Sequence, residues 1–225
     1  MEAVFRFLLN WSEIWALLIP LAFSLFKKKQ PAYLKPVRIY IWLALLFGII
    51  ADLIWRYKVK WGFQEGDFLW SNNFIYNTHS IIRLLLFSWF FILLHQRFMH
   101  RVKRILPIAF LIFVIINFTF YEKFFDVIFS SRLLATEAAL LLFYCLQYYI
   151  FLMLEDRTTR LTHQPGFWVV TGLTIYMAVN FFIFLFYSYL TSLNEPFAIS
   201  IWDIHNIAYI ILCLFLARAF YKSYD

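Results

Sequence analysis

The chain has 225 residues, of which 64% are hydrophobic and 23% aromatic, with only 5 glycines. A soluble domain is about half apolar; the excess here excludes one soluble core and makes lipid the solvent, and 1–225 reads as a single integral membrane domain. The formal charge of +7 does not mark a nucleic-acid binder, because the Lys and Arg residues sit in short loops between apolar runs, where cations set membrane orientation.

A spanning helix takes about 20 mostly apolar residues. Seven such runs follow one another, at about 8–27, 37–57, 73–95, 104–121, 132–154, 167–190 and 199–220. They are long and continuous, which excludes a β-barrel and predicts an all-α bundle of seven transmembrane helices. The first run is no cleaved signal peptide: Glu2 and Arg6 cancel ahead of it, and Lys27, Lys28 and Lys29 come after it. It carries Ser12-Glu13, and its internal Pro20 predicts a kink. The second opens at Pro36 and carries Asp52. The third holds Ile75-Tyr76-Asn77-Thr78-His79-Ser80-Ile81 and then Arg83. Pro107 lies near the start of the fourth, and Thr136-Glu137 lies in the fifth. The sixth opens near Pro165 and carries Asn180; the seventh holds Ile201-Trp202-Asp203-Ile204-His205-Asn206-Ile207. Cys145 and Cys213 fall mid-helix and read as small buried hydrophobes.

Thirteen of the Lys and Arg residues fall on one side of this arrangement and six on the other, with Arg83 inside the third helix. The richer side is expected to be cytoplasmic. That places 27–38, 96–103 and 155–165 inside, 58–72 and 191–198 outside, and the amino terminus outside.

The heptapeptides at 75–81 and 201–207 match in chemistry at an offset of 126 residues. Ser12-Glu13 matches Thr136-Glu137 and Asp52 matches Asn180 at similar offsets, and Gln30-Pro31 and Gln164-Pro165 occupy corresponding turns. Helices one to three are therefore expected to repeat as five to seven, with the fourth as linker. An odd linker makes the triplets parallel, related by an axis along the membrane normal.

Ionisable groups inside a spanning helix are costly and by default mark a functional site. The candidate ligand-binding set is Glu13, Asp52, Asn77, His79, Arg83, Glu137, Asn180, Asp203, His205 and Asn206. At 1.5 Å per residue the acids lie roughly 8 Å below the outer surface, and the inner halves of the helices lack charge, which describes an outward-facing cup. His79 and Arg83 share a face with Tyr76, whereas Asp203 and His205 point nearly opposite ways. Asp52 is the expected partner of Arg83, on an adjacent helix at similar depth. With four carboxylates and one Arg together, the cluster would need protons, charged histidines or a bound cation. The plain alternative is interhelical glue, at about 0.6 kcal/mol per bond.

No Lys lies mid-helix for a retinal Schiff base, and no phosphate loop or nucleophile elbow is present, so no cofactor is implied. The two intramembrane histidines and nearby acids have donor chemistry for zinc, but no second His falls one turn from either. An intramembrane metallohydrolase stays open as one reading, and otherwise nothing points to an enzyme.

The three-one-three plan resembles the sugar-transporter and PQ-loop superfamily, in which Asn77 and Asp203 would stand at a paired asparagine position. The segments Ile50-Ala51-Asp52-Leu53-Ile54, Phe87-Ser88-Trp89-Phe90-Phe91, Pro165-Gly166-Phe167-Trp168-Val169-Val170 and 201–207 more closely resemble small stand-alone seven-helix proteins of the Bacteroidota. That family has unknown function and is often encoded beside histidine kinases; Arg83 and His205 depart from its usual residues. The resemblance implies a bacterial cytoplasmic membrane and a membrane kinase as partner. The expected function is a sensor or signalling partner that binds a small polar or cationic ligand from outside. A solute or proton-coupled transporter is the alternative.

Overall fold

The structure, a computed structural model, describes residues 2–26, 30–65, 67, 69–96, 98–126, 129–155, 160–193 and 195–222. Among them are α1 (Glu2–Asn10), α2 (Ser12–Leu25), α3 (Lys35–Tyr57), α4 (Asn73–Leu93), α5 (His100–Phe120), α6 (Ser131–Leu154), α7 (Pro165–Leu193) and α8 (Glu195–Lys222), and no strand. Six of the helices, α3 to α8, are long and apolar enough to cross a membrane, and α2 is a shorter apolar helix. The fold is thus the all-helical bundle of a multi-pass membrane protein. Residues 27–29, Arg97 and Arg157, which carry part of the charge asymmetry, lie outside the described residues.

Three boundaries differ from the sequence expectation. The first span is two helices, broken at Trp11 (φ −98°, ψ 5°). The Trp15 indole donates to the Leu8 carbonyl at 2.8 Å, occupying the acceptor that the amide of residue 12 would use in an unbroken helix. Pro20 does not end α2, which runs on to Leu25. The fourth span starts earlier, at His100, so Pro107 lies inside α5. The carbonyl that proline leaves unpaired, that of Lys103, accepts from the Tyr144 hydroxyl of α6 at 2.7 Å. Lys103 is consequently not a loop cation: it is buried, and its ammonium donates to Gln96 Oε1 at 2.7 Å. Finally, the expected external loop 191–198 is helical up to Leu193 and again from Glu195. At 1.5 Å per residue α7 and α8 are about 44 and 42 Å long, more than the roughly 30 Å of a hydrocarbon layer.

The helices close into a ring. α2 packs on α3 and α8, α3 on α4, α4 on α6, α6 on α7 and α7 on α8, while α5 lies outside against α4 and α6. α5 buries Lys103, Phe110 and Asn117, spaced by seven residues and so on one face. It turns Ile105, Ile108, Ile112, Ile115 and Phe120 outward, as a lipid-facing helix does. At the α7–α8 contact the backbones come close: a Cβ on Gly172 would stand 2.5 Å from Phe215 Cβ. Small residues allow such backbone contact, and in lipid, dispersion and interhelical hydrogen bonds hold helices together.

A candidate ligand-binding cavity within the ring

A cavity lies inside the ring, towards the end that carries α1 and the 58–72 and 121–130 connections. Every ring helix lines it: Glu13 from α2, Phe47 from α3, Tyr76, His79 and Arg83 from α4, Leu134 from α6, Tyr176 and Phe184 from α7, and Trp202, His205 and Tyr209 from α8, with Phe129 at the rim. It measures about 40 Å³, where one water needs about 10–15 Å³, so it has room for a group of a few heavy atoms. One helical turn further in, α2, α3, α4, α6, α7 and α8 present Leu17, Tyr40, Phe87, Leu141, Leu173 and Leu212, all buried. These form a packed floor.

The polar groups fall into two stations. At the first, Arg83 and Glu137 make a two-pronged pair, Nε to Oε1 at 2.5 Å and Nη2 to Oε2 at 2.7 Å. Ser80 Oγ donates to Oε2 at 2.5 Å, and Arg83 Nη1 donates to the Tyr176 hydroxyl at 3.2 Å. Arg83 is 5% exposed and Glu137 is fully buried. Two parallel charge-assisted bonds are the geometry in which a buried ion pair offsets its desolvation.

At the second station Glu13 Oε2 accepts from the Tyr76 hydroxyl at 3.2 Å, and Oε1 faces His205 Nε2 at 3.6 Å. The Glu13 side chain keeps 23% of its surface exposed. Asn180 sets the histidine. Its Nδ2 donates to the Tyr176 carbonyl at 2.7 Å, which turns Oδ1 to His205 Nδ1 in a short hydrogen bond. The ring nitrogen facing an amide oxygen must carry a proton, so in the neutral tautomer it is Nε2 that is bare towards the cavity. Trp202 stacks on this ring at 4.7 Å. On the opposite wall His79 stacks on Tyr40 at 5.7 Å and 9°, and its Nε2 has no hydrogen-bond partner among the described residues.

Four of the ten sequence candidates line the cavity: Glu13, His79, Arg83 and His205. Glu137 and Asn180 stand behind it as supports. The others lie elsewhere. Asn77 Nδ2 donates to the Phe124 carbonyl at 2.9 Å and ties α4 to the 121–130 connection. Asn206 is buried beside the cavity, with Oδ1 unpartnered among the described residues. Asp203 is part-buried and does not line the cavity, in keeping with a helical spacing that sets it nearly opposite His205.

Asp52 is the clear correction. It pairs with Arg56 one turn on, at 2.8 Å to each oxygen and partly exposed, and not with Arg83. Asp52 lies five residues from the end of α3, about 7.5 Å, whereas Arg83 is ten residues into α4, about 15 Å. Arg83 instead meets Glu137 in the dry interior. The expected surplus of three negative charges therefore reduces to one, since Asp52 and Asp203 are outside and Arg83 cancels Glu137. The chief residues absent from the sequence candidates are the aromatic walls: Phe47, Tyr176, Phe184, Trp202 and Tyr209. Trp202 and Tyr209 fall three residues before and four after His205, which is the signal that would have found them.

No group of three or more His, Cys, Asp or Glu side chains able to hold a metal ion occurs among the described residues. Comparison with protein-family models, with curated proteins and with solved structures returned no match.

Proposed function

We propose that this chain is a membrane receptor-like binding protein that takes a small polar ligand into the ring cavity from the extracytoplasmic side and works as a sensor or as the partner of a signalling protein. The observation that carries the reading is the cavity's one-sidedness: charged and hydrogen-bonding groups at one end of the ring, and one turn deeper a packed floor that is apolar on five of the six helices and a buried tyrosine, Tyr40, on α3. A site for reading a solute needs entry from one side only. The excess of Lys and Arg at the other end supports a cytoplasmic position for the floor, and a bacterial cytoplasmic membrane fits the family resemblance.

A transporter is the second reading, and the ring supports it. α2–α4 and α6–α8 each form a run of neighbours, they meet at α2–α8 and α4–α6, and α5 stands outside. That is the arrangement two parallel triplets with a linker would adopt, with the cavity at their interface. A transporter must open the floor in a second conformation.

Reconstitution separates the two. Purified protein in proteoliposomes, with an imposed proton gradient, is screened for uptake and counterflow of small polar solutes, and in parallel for solute-dependent thermal stabilisation. The sensor reading expects saturable stabilisation without flux; flux lost on Glu137→Gln would replace it by the transporter. Single cysteines at Gln64 and His163, both exposed, in a cysteine-free background should react with an impermeant reagent from opposite sides. Labelling of both from one side overturns the orientation.

A further inference from the structure

We infer that the ligand is a small organic cation, an alkylammonium or guanidinium group, seated between Glu13, His205 and the surrounding aromatic rings. The inference rests on the reading of the cavity as a binding site and adds the chemical class.

Charge comes first. Both oxygens of Glu137 accept from Arg83 and Ser80, so the charges of that station cancel. Glu13 is then the one carboxylate among the cavity-lining residues, and its only hydrogen bond among the described residues comes from Tyr76. An anion entering here would meet that carboxylate at close range in a low-dielectric site, and a neutral solute would leave it without a counter-charge.

Hydrogen bonding points the same way. With Asn180 holding a proton on the Nδ1 of a neutral His205, two acceptors, Glu13 Oε1 and His205 Nε2, would face each other across 3.6 Å. The unpartnered Nε2 of His79 borders the same space. A group rich in N–H donors fits that set.

The walls supply the rest. Tyr76, Tyr176, Trp202 and Tyr209 turn aromatic surface to the cavity, and ring faces attract organic cations. A hard metal ion needs several oxygen ligands, and the lining offers Glu13 and phenol oxygens only. The internal offset adds an independent point. The 126-residue shift that carries His79 onto His205 carries Arg83 onto Tyr209. The chain provides a cation for one glutamate and an aromatic ring where the matching cation for the other would stand.

The test uses the full chain in nanodiscs and follows thermal unfolding with millimolar ethylammonium, tetramethylammonium or guanidinium chloride. Sodium chloride, acetamide, tert-butanol and sodium acetate at matched concentration are the control solutes. At least one organic cation should raise the midpoint saturably above all four controls. Glu13→Gln should weaken its apparent affinity by at least about tenfold, and Asp52→Asn, outside the cavity, should leave it unchanged. Tyr209→Arg, which supplies the missing cation from within the chain, should abolish the response; it also serves as the second variant if Glu13→Gln does not fold. Stabilisation by acetamide, tert-butanol or acetate but not by cations overturns the chemical class and leaves the binding reading standing. So does a cation response that survives Glu13→Gln or Tyr209→Arg in folded protein. If His205 closes the gap to Glu13 with a second proton instead, cations stabilise no more than the control solutes do and the inference fails. No response to any solute, with no flux, removes both readings.

Discussion

Glu137 on α6 and Glu13 on α2 stand on opposite sides of the ring, 124 residues apart in the sequence, and the chain treats them in opposite ways. Glu137 is wholly buried and takes three charge-assisted or short hydrogen bonds from Arg83 and Ser80. Glu13 is part-exposed, takes one longer bond from Tyr76, and faces a histidine whose other ring nitrogen is bound to Asn180. The first arrangement meets the charge of its carboxylate inside the protein. The second leaves capacity unused at the wall of a cavity. A carboxylate in a membrane bundle is therefore not one kind of object: whether it acts as structure or as a site depends on who satisfies it.

The contrast is most exposed to test at the Arg83–Glu137 pair, where the largest effect is expected. Arg83→Leu or Glu137→Leu alone strands a buried charge and should cost about 3–5 kcal/mol. The double variant should recover most of that loss, because paired replacement of a buried ion pair is often neutral or stabilising. Reversible unfolding in mixed micelles, read by far-UV circular dichroism, gives all three values. Singles as stable as the parent would mean the pair does not exist.

A middle-sized effect is expected at Asn180. Asn180→Leu removes the acceptor that orients His205 and leaves a buried ring N–H unmet, at about 1–3 kcal/mol. The same variant should let His205 turn its other nitrogen to Glu13, so NMR of ring-labelled histidine should show a changed tautomer. An unaltered tautomer would remove Asn180 from its orienting role.

Of the two stations, the smaller effect is expected at Glu13. Glu13→Gln should cost less than about 1 kcal/mol, since a partly wet acceptor with one neutral bond contributes little to stability. Asp52→Asn sets the floor of the scale at about 0.3–0.5 kcal/mol, the contribution of an exposed i, i+4 pair. If Glu13→Gln proves as damaging as Glu137→Gln, the two stations are alike and the contrast between them dissolves.

Much of the site was visible in the order of residues. The helical spacing of Tyr76, His79 and Arg83 put all three on one wall, and the same rule turned Asp203 away from His205; both follow from 3.6 residues per turn and from nothing else. The partner of Arg83 was not visible. Depth and adjacency favoured Asp52, but Asp52 is part-exposed and has Arg56 one turn away on its own helix, and a local partner requires no ordering of a distant element. The break at Trp11 was equally hidden, because a run of apolar residues reads as one helix whether or not a single indole captures one carbonyl.

Composition and the length of the apolar runs suffice to make this chain an all-helical bundle in a membrane, since lipid leaves an unpaired backbone no alternative. The rare polar residues, standing out against 64% hydrophobic sequence, mark the level at which the helices carry something other than packing. Which of those residues face one another is set by the assembly of the helices alone. Assembly closed six helices into a ring with α5 outside, paired Arg83 with Glu137, sent Asp52 to Arg56, and surrounded Glu13 and His205 with rings from distant parts of the chain. The physical reason is that helical periodicity sets the direction of a side chain about its own axis, whereas the neighbour it meets depends on which helices touch and at what height.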